Sequence, residues 1–365
     1  MRKEETKGLV MHWSLLSVIS ALLLVSACKT HKDLPPTQEE AARVVQQALS
    51  LQEEVTAEEL HGGLSGTKIF LVKAFRVSDG CQQYVVRFLT HPHTREPREI
   101  TCLRIASNAG YGPHLYAVAP DWKWTVMEYV QPQPVTKEDR ASGRYYQQLG
   151  AVISKMHHGP SFPVHRTVLE DTALDLRRIK KRSSLNLVST RLEQILPIIQ
   201  EALVSVGQKA PCHDDLNPGN MIWTGSTFKI IDFAAACQDD PYFDLATIIQ
   251  FNCFCAETEN QVLTAYFLGS MTKEERAHLF LMKQAVRIAW TVRLLLSVPD
   301  QTLEEIDEPH TFEAILNKLE NEELTIEDPK VRAELALSLF SQLNRVYDSK
   351  EFQEAIDILT GQSTS

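Results

Sequence analysis

The chain has 365 residues, 44% of them hydrophobic and 23% charged, the balance of an ordinary globular protein with enough length for two packed lobes. Its formal net charge of -10, with no basic stripe and no long run of like charges, argues against nucleic-acid binding and slightly favours cationic ligands. Seven cysteines (28, 81, 102, 212, 237, 253 and 255) lack the paired C-x-x-C spacing of a structural zinc site, so they read as scattered core thiols, with no disulfide assigned.

In chain order, an apolar stretch over residues 13–27 ends in Leu24, Val25, Ser26 and Ala27 before Cys28, behind Arg2, Lys3 and Lys7. A permanent span of a ~30 Å hydrocarbon core needs about 20 apolar residues, so residues 1–28 fit a cleaved leader better than a membrane helix. The small residues before Cys28 resemble a bacterial lipobox, which implies a lipidated cysteine and a membrane tether. Residues 29–54 are then a polar linker and a helix. Thr37 and Glu40 have the S/T-x-x-E form of a capping box, opening a helix to about Leu51.

Residues 55–130 read as a small α+β lobe. β-Favouring runs at 68–75 and 84–89, separated by Gly62, Gly63, Gly66 and the Asp79-Gly80 pair, predict a three-stranded antiparallel meander with a first strand near Val55. Residues 95–109 carry helical spacing, and 115–119 and 124–129 give two more strands broken by Pro120 and Asp121. After Gln131-Pro-Gln-Pro134, residues 131–300 are dominated by helical periodicity, at 145–157, 188–206, 244–254, 260–268 and 273–298. Two short strands, 220–223 and 228–231, interrupt it. Residues 301–365 form acidic helices, at 311–321 and 329–347, without a motif.

The chemistry sits at that interruption. His213, Asp215 and Asn220 form H-x-D-x-x-x-x-N, and Asp232 follows twelve residues later in Ile230-Ile231-Asp232-Phe233. Phosphoryl transfer needs a carboxylate to orient the acceptor hydroxyl and take its proton, and ligands for a magnesium ion that bridges the phosphates. Asp215, Asn220 and Asp232 supply these groups, and hard oxygen donors suit Mg²⁺.

A third element, Asp240-Pro-Tyr-Phe-Asp244-Leu-Ala246, completes a pattern similar to that of the choline/ethanolamine kinase and aminoglycoside phosphotransferase family, closest to its bacterial choline kinases. The resemblance covers roughly residues 55–298. It implies an α+β, bilobal, protein-kinase-like fold, with a small five-stranded antiparallel N-lobe and a mostly helical C-lobe, and it implies ATP and Mg²⁺ as cofactors. By it, Asp215 is the catalytic base, Asn220 and Asp232 hold the metal, and His213 and Asp244 brace the loop from behind. Gly62, Gly63, Ser65 and Gly66 fall at the family's phosphate-covering loop, with a plain hairpin turn as the alternative. Arg87 takes the place of the phosphate-contacting basic residue, with Glu99 as its ion-pair partner. Gly110-Tyr-Gly-Pro-His-Leu-Tyr116 resembles the strand entry of choline and ethanolamine kinases, which makes Met127 and Val130 the ends of an adenine-reading hinge.

For the acceptor, a quaternary ammonium would be held on aromatic faces, and Tyr266 and Trp290 are provisional pocket residues, although their helical spacing equally fits core. Ala234, Ala235 and Ala236 stand where many relatives carry a glutamate after the Asp-Phe pair. Asp214, Asp239 and Asp240 are candidates to replace that charge; otherwise the acceptor is neutral. The expected activity is ATP- and Mg-dependent phosphorylation of a hydroxyl of choline, ethanolamine or a similar small amine or alcohol. An aminoglycoside, thiamine or sugar kinase of the same fold is one alternative. A membrane-tethered pseudokinase is another, and the intact Asp215, Asn220 and Asp232 speak against it. The expected partner is a small-molecule acceptor, with no nucleic acid. A membrane location through Cys28 conflicts with the need for cytoplasmic ATP, and a cytoplasmic chain is the alternative.

Overall fold

A computed structural model describes residues 35–60, 67–76, 80–89, 96–204, 207–306 and 310–361. The leader with Cys28 and the string holding Gly62, Gly63, Ser65 and Gly66 lie outside the described residues. Helix α1 (Gln38–Leu49) starts where Thr37 accepts the Glu40 N–H on its hydroxyl at 3.2 Å. Strands β1 (Val55–Glu59), β2 (Lys68–Arg76) and β3 (Gly80–Phe88) form the expected antiparallel meander. After α2 (Arg98–Ala109), strands β4 (Leu115–Val118) and β5 (Trp124–Glu128) complete a five-stranded antiparallel sheet of order β1-β2-β3-β5-β4.

Side chains alternate across a strand, and in β3 this places Tyr84, Val86 and Phe88 against α1. There they bury with Ala41, Val45, Phe70 and Val72 as the core of the small lobe. The same alternation turns Arg87 to the opposite face. Helix α2 begins after Pro97, which tolerates the start of a helix because its missing N–H would be unsatisfied there anyway. It ends at Gly110, whose φ of 81° lies in the left-handed region that glycine enters without steric cost. Its Cys102, Leu103 and Ala106 bury with the larger core of the second lobe, so α2 ties the two lobes together.

The second lobe comprises α3 (Lys137–Ala141), α4 (Arg144–His157), α5 (Val168–Ile179), α6 (Asn186–Val204), β6 (Ala210–Cys212), β7 (Met221–Trp223), β8 (Phe228–Ile230) and β9 (Cys237–Asp239). Helices α7 (Pro241–Asn252), α8 (Ala256–Phe267), α9 (Lys273–Leu296), α10 (Asp300–Glu304), α11 (Phe312–Glu320), α12 (Pro329–Tyr347) and α13 (Lys350–Thr360) follow. Strand β6 pairs with β9 and β7 with β8, both antiparallel. The long α9 is the axis of the lobe, packed against α5, α6, α7, α12 and α13. Its Leu281, Ile288, Leu294 and Leu295 are wholly buried, each contributing roughly 1.5–3 kcal/mol by removal from water. Because α12 and α13 pack on α9, and their Leu335, Leu339 and Phe352 bury in the same core as Leu216, the C-terminal helices share the core beneath the loop that follows β6. Helices α4 and α8 approach so closely at Gly150 that a Cβ there would lie 2.2 Å from the Val262 carbonyl oxygen. No helix among the described residues is long and apolar enough to cross a membrane.

Candidate active site

The loop that carries the candidate site leaves β6 at Cys212 and re-enters regular structure at a short turn of 3-10 helix, Pro218–Asn220, capped by Asn217, whose Oδ1 accepts the Gly219 N–H at 2.9 Å. The loop folds on itself around Asp215. Asn217 N–H donates to the Asp215 carbonyl at 2.8 Å, and Asn220 Nδ2 donates to that carbonyl at 2.9 Å and to Asp215 Oδ2 at 3.1 Å. Ile231 sets the second half of the site relative to the first. Its N–H donates to the Asn220 carbonyl at 2.9 Å, and its own carbonyl accepts from His213 Nε2 at 2.9 Å. Asp232 follows directly, with φ of 60°, so Asn220 is registered on Asp232 through Ile231, and Asp215 through its bonds from the Asn220 amide. The His213 ring packs against Phe233 at 5.1 Å and is completely buried, so its part is structural.

Asp232 faces the small lobe. Arg87 lies 3.3 Å from it and 3.2 Å from Glu99 of α2, bridging the sheet, the helix and the catalytic segment. Burial disfavours the Arg87 charge, but the carboxylates of Glu99 and Asp232 outweigh that cost and hold its pKa above the ordinary value. Met127 stands opposite Val85 in the β3–β5 register, which puts it on the Arg87 side of the sheet, and Val130 is buried just beyond β5. From there the chain is pinned to the second lobe by the Gln133 N–H, which donates to the Trp223 carbonyl at 2.8 Å.

The donor set fits a magnesium ion. Asn220 commits its amide nitrogen to Asp215, so its amide oxygen is the atom able to meet a cation, and Asp232 adds a carboxylate. Two oxygen donors of this kind, with phosphate oxygens and water completing the shell, are what Mg²⁺ takes.

Behind the loop, Asp244 in the first turn of α7 is wholly buried. It accepts the His213 N–H at 2.7 Å on one oxygen and the Asp214 N–H at 2.9 Å on the other, and His157 Nε2 reaches it at 3.1 Å. His157 Nδ1 in turn meets the Tyr266 hydroxyl at 2.8 Å. Tyr266 is therefore the outer end of a brace on the loop. It also lines a cavity of about 830 Å³ with Ser154, Lys155, Asp240, Tyr242 and His278. Asp215, Asn220 and Asp232 are not among the walls of that cavity, so the expected role of Tyr266 beside the acceptor gives way to a supporting one. Asp240 caps α7 by accepting the Tyr242 N–H at 3.0 Å and meets His278 at 2.8 Å, while Asp239 accepts from Val168, Lys209 and Asp240. Both acids are spent on structure.

Two further expectations are corrected. Asp214 is buried, its Oδ2 accepting from the Cys237 thiol at 3.3 Å, while its Oδ1 has no hydrogen-bond partner among the described residues. Burial, with the neighbouring Asp239 and Asp244 charges, pushes its pKa well above the usual carboxylate range. Trp290 has no exposed surface and packs against Phe251 at 4.9 Å, so it belongs to the core and not to a pocket wall.

The residue that sequence reasoning missed is Arg293. Its Nη1 donates to Asp215 Oδ1 at 2.9 Å, with both side chains buried, and its guanidinium lies over the Trp290 ring at 5.0 Å. The available signal was an arginine inside the apolar run of α9, where a buried cation requires a partner.

Comparisons with known proteins bear on the family and the fold. The family model described as "Phosphotransferase enzyme family" matches residues 56–280, more than half of the chain. A choline/ethanolamine kinase family protein from Mesorhizobium loti shares the fold with a TM-score of 0.63 at 18% identity, covering 88% of this chain and 98% of its own. A choline kinase from Cryptosporidium parvum gives a TM-score of 0.63 at 12% identity, covering 89% and 99%. A spectinomycin phosphotransferase, solved with ADP and its antibiotic, gives 0.54 at 14% identity, covering 84% and 99%. No curated protein matches the chain in sequence.

Proposed function

Given that the chain belongs to the phosphotransferase enzyme family, we propose that it is an ATP- and Mg²⁺-dependent kinase that phosphorylates a hydroxyl of a small-molecule acceptor. The observation that carries this reading is that Asp215 is tied to Asn220 by the amide of Asn220, and Asn220 to the residue before Asp232 by the Ile231 N–H. Asp215, its carboxyl oriented by Asn220 and Arg293, receives the acceptor O–H, aims the oxygen at the γ-phosphorus and takes the proton as the new P–O bond forms and the bond to ADP breaks. Arg87, steadied by Glu99, is placed to contact phosphate oxygens. Asn220 and Asp232 would hold a magnesium ion, which would supply neutralisation of the phosphate charge. The Tyr266–His157–Asp244 brace holds the loop so that little reorganisation is left for the reacting state.

An alcohol acceptor is the reading the site supports. Its more specific form, choline or ethanolamine, gains nothing from Trp290, which is core, or from residues 234–236, which are alanines. The test is magnesium-dependent ADP release by the full chain against choline, ethanolamine, thiamine, aminoglycosides and simple sugars, with Asp215→Asn as control. One acceptor should stimulate release, and the variant should lose that stimulation by roughly 10²–10⁴-fold. ATP binding without turnover against any acceptor would favour the pseudokinase.

A further inference from the structure

Arg293 puts a positive charge of the protein's own at the place where an acceptor must come. Its side chain, 8% exposed, rises from an apolar stretch of α9 that includes Ala289, Val292 and Leu294, and it ends on Asp215 Oδ1. An acceptor hydroxyl has to hydrogen-bond the same carboxyl group. Arg293 also covers the buried Trp290 ring as its own cation–π partner, 5.0 Å from the centroid, which leaves that ring closed to a ligand cation. The acids nearby are already committed: Asp175 of α5 accepts from Arg178 at 2.8 Å, and Asp214 faces Cys237. Across the site, Arg98 of α2 donates to the Ala234 carbonyl at 2.8 Å, in the alanine run where no acid is present.

We propose that Arg293 is the specificity-determining residue of this site, selecting an uncharged or acidic hydroxyl compound and rejecting amino and quaternary ammonium alcohols. The inference rests on the phosphotransfer reading above and names its acceptor class. In choline or ethanolamine the cationic nitrogen sits two carbons from the reacting oxygen. With that oxygen on Asp215, the nitrogen must lie beside the ion pair that Asp215 makes with Arg293. Because Arg293 already neutralises the Asp215 carboxylate, the ammonium meets no net negative charge there and its desolvation goes uncompensated, which opposes binding by on the order of a hundredfold.

Choline and 3,3-dimethylbutan-1-ol, which have the same shape and differ in the central charge, isolate this effect. Their kcat/KM values are compared for the wild-type chain, Arg293→Lys and Arg293→Gln, with melting curves and Mg-ATP binding showing that each variant is folded. The wild type should favour the neutral alcohol by about a hundredfold. Arg293→Lys should keep that ratio, and Arg293→Gln should bring it near unity even though its absolute rate falls with the lost support of Asp215. A wild type that uses choline as well as its isostere, or an Arg293→Gln variant that keeps the ratio, overturns the proposal. If neither alcohol is turned over, the two are compared as ligands of the Mg-ADP complex by saturation-transfer NMR. Stronger binding of the neutral alcohol supports the proposal; choline binding as well as its isostere, or binding of neither, overturns it. Failure of the phosphotransfer reading is seen separately, as absence of ADP release with every acceptor tested.

Discussion

Replacing Asp244 by asparagine removes a single charge and almost no volume, yet it strikes the brace behind the catalytic loop. The carboxyl group takes one backbone N–H on each oxygen, from His213 at 2.7 Å and Asp214 at 2.9 Å, and meets His157 at 3.1 Å. An amide has one oxygen. Whichever N–H keeps it, the other faces an NH₂ group in a fully buried site, donor against donor. Loss of one charge-assisted bond and the orphaning of one buried donor cost about 2–4 kcal/mol together. The effect should reach the chemistry, because Asp214 has φ of 63° and depends on the threatened bond to hold a conformation that costs an L-residue about 1–2 kcal/mol. When Asp214 relaxes, Asp215 moves with it, and a shift of about 1 Å is worth about 10²-fold in rate. Urea unfolding should show a lower midpoint with an unchanged slope. Acceptor-stimulated ADP release should show kcat reduced by about a hundredfold, with little change in KM for ATP. An Asp244→Asn chain with wild-type stability and wild-type kcat would refute the assignment of Asp244 as the loop's anchor.

Removing the Tyr266 hydroxyl by Tyr266→Phe should cost about 1 kcal/mol in urea unfolding through the lost contact with His157, with acceptor specificity unchanged. Unaltered stability would show that His157 needs no outer partner. Gly150→Ala should destabilise the fold by about 2 kcal/mol or more, because its methyl group would meet the Val262 carbonyl where α4 and α8 touch; a neutral effect on the melting temperature would contradict that contact. Asp139 gives a dependence on acid. Arg144, followed by Thr136, hydrogen-bonds its carboxylate and holds its pKa at about 2, against about 3.9 in the unfolded chain. The stability it contributes is present above about pH 4 and lost as the pH falls towards 2. Asp139→Asn should flatten that limb of the pH–stability curve, and an unchanged limb would mean the pair contributes nothing.

The small lobe was legible because its strands alternate cleanly and its turns are marked by glycine, proline and aspartate. Only the ends shifted, as at β3, which runs back to Gly80 because that residue pairs with Arg76. In the second lobe the long helices were plain, but α5 went unread although Thr167 and Glu170 form a complete capping box ahead of it. Helix α13 was missed too, and its burial on α9 is a tertiary fact. Asp215, Asn220 and Asp232 could be singled out because the roles proposed for them demand fixed spacing along the chain. Asp214, Tyr266 and Trp290 could not, because what decides them is direction and depth. Periodicity shows that an aromatic residue lies on a helix, but not whether its ring faces a cleft or a neighbouring helix. Arg293 was invisible for a related reason: its partner is 78 residues away, and only the fold brings α9 beneath the loop.

The most direct test of the account follows the γ-phosphate itself. Full-length protein is incubated with γ-labelled ATP, Mg²⁺ and a panel of alcohols, and the label is traced in wild type and in Asp215→Asn with equilibrium ATP binding measured alongside. Label should appear in an acceptor phosphomonoester, dependent on magnesium and lost in the variant by about 10²-fold or more while ATP binding persists. Label that stays in ATP with every acceptor, or that leaves only as inorganic phosphate at equal rates in both proteins, would contradict a phosphotransfer site built on Asp215, Asn220 and Asp232.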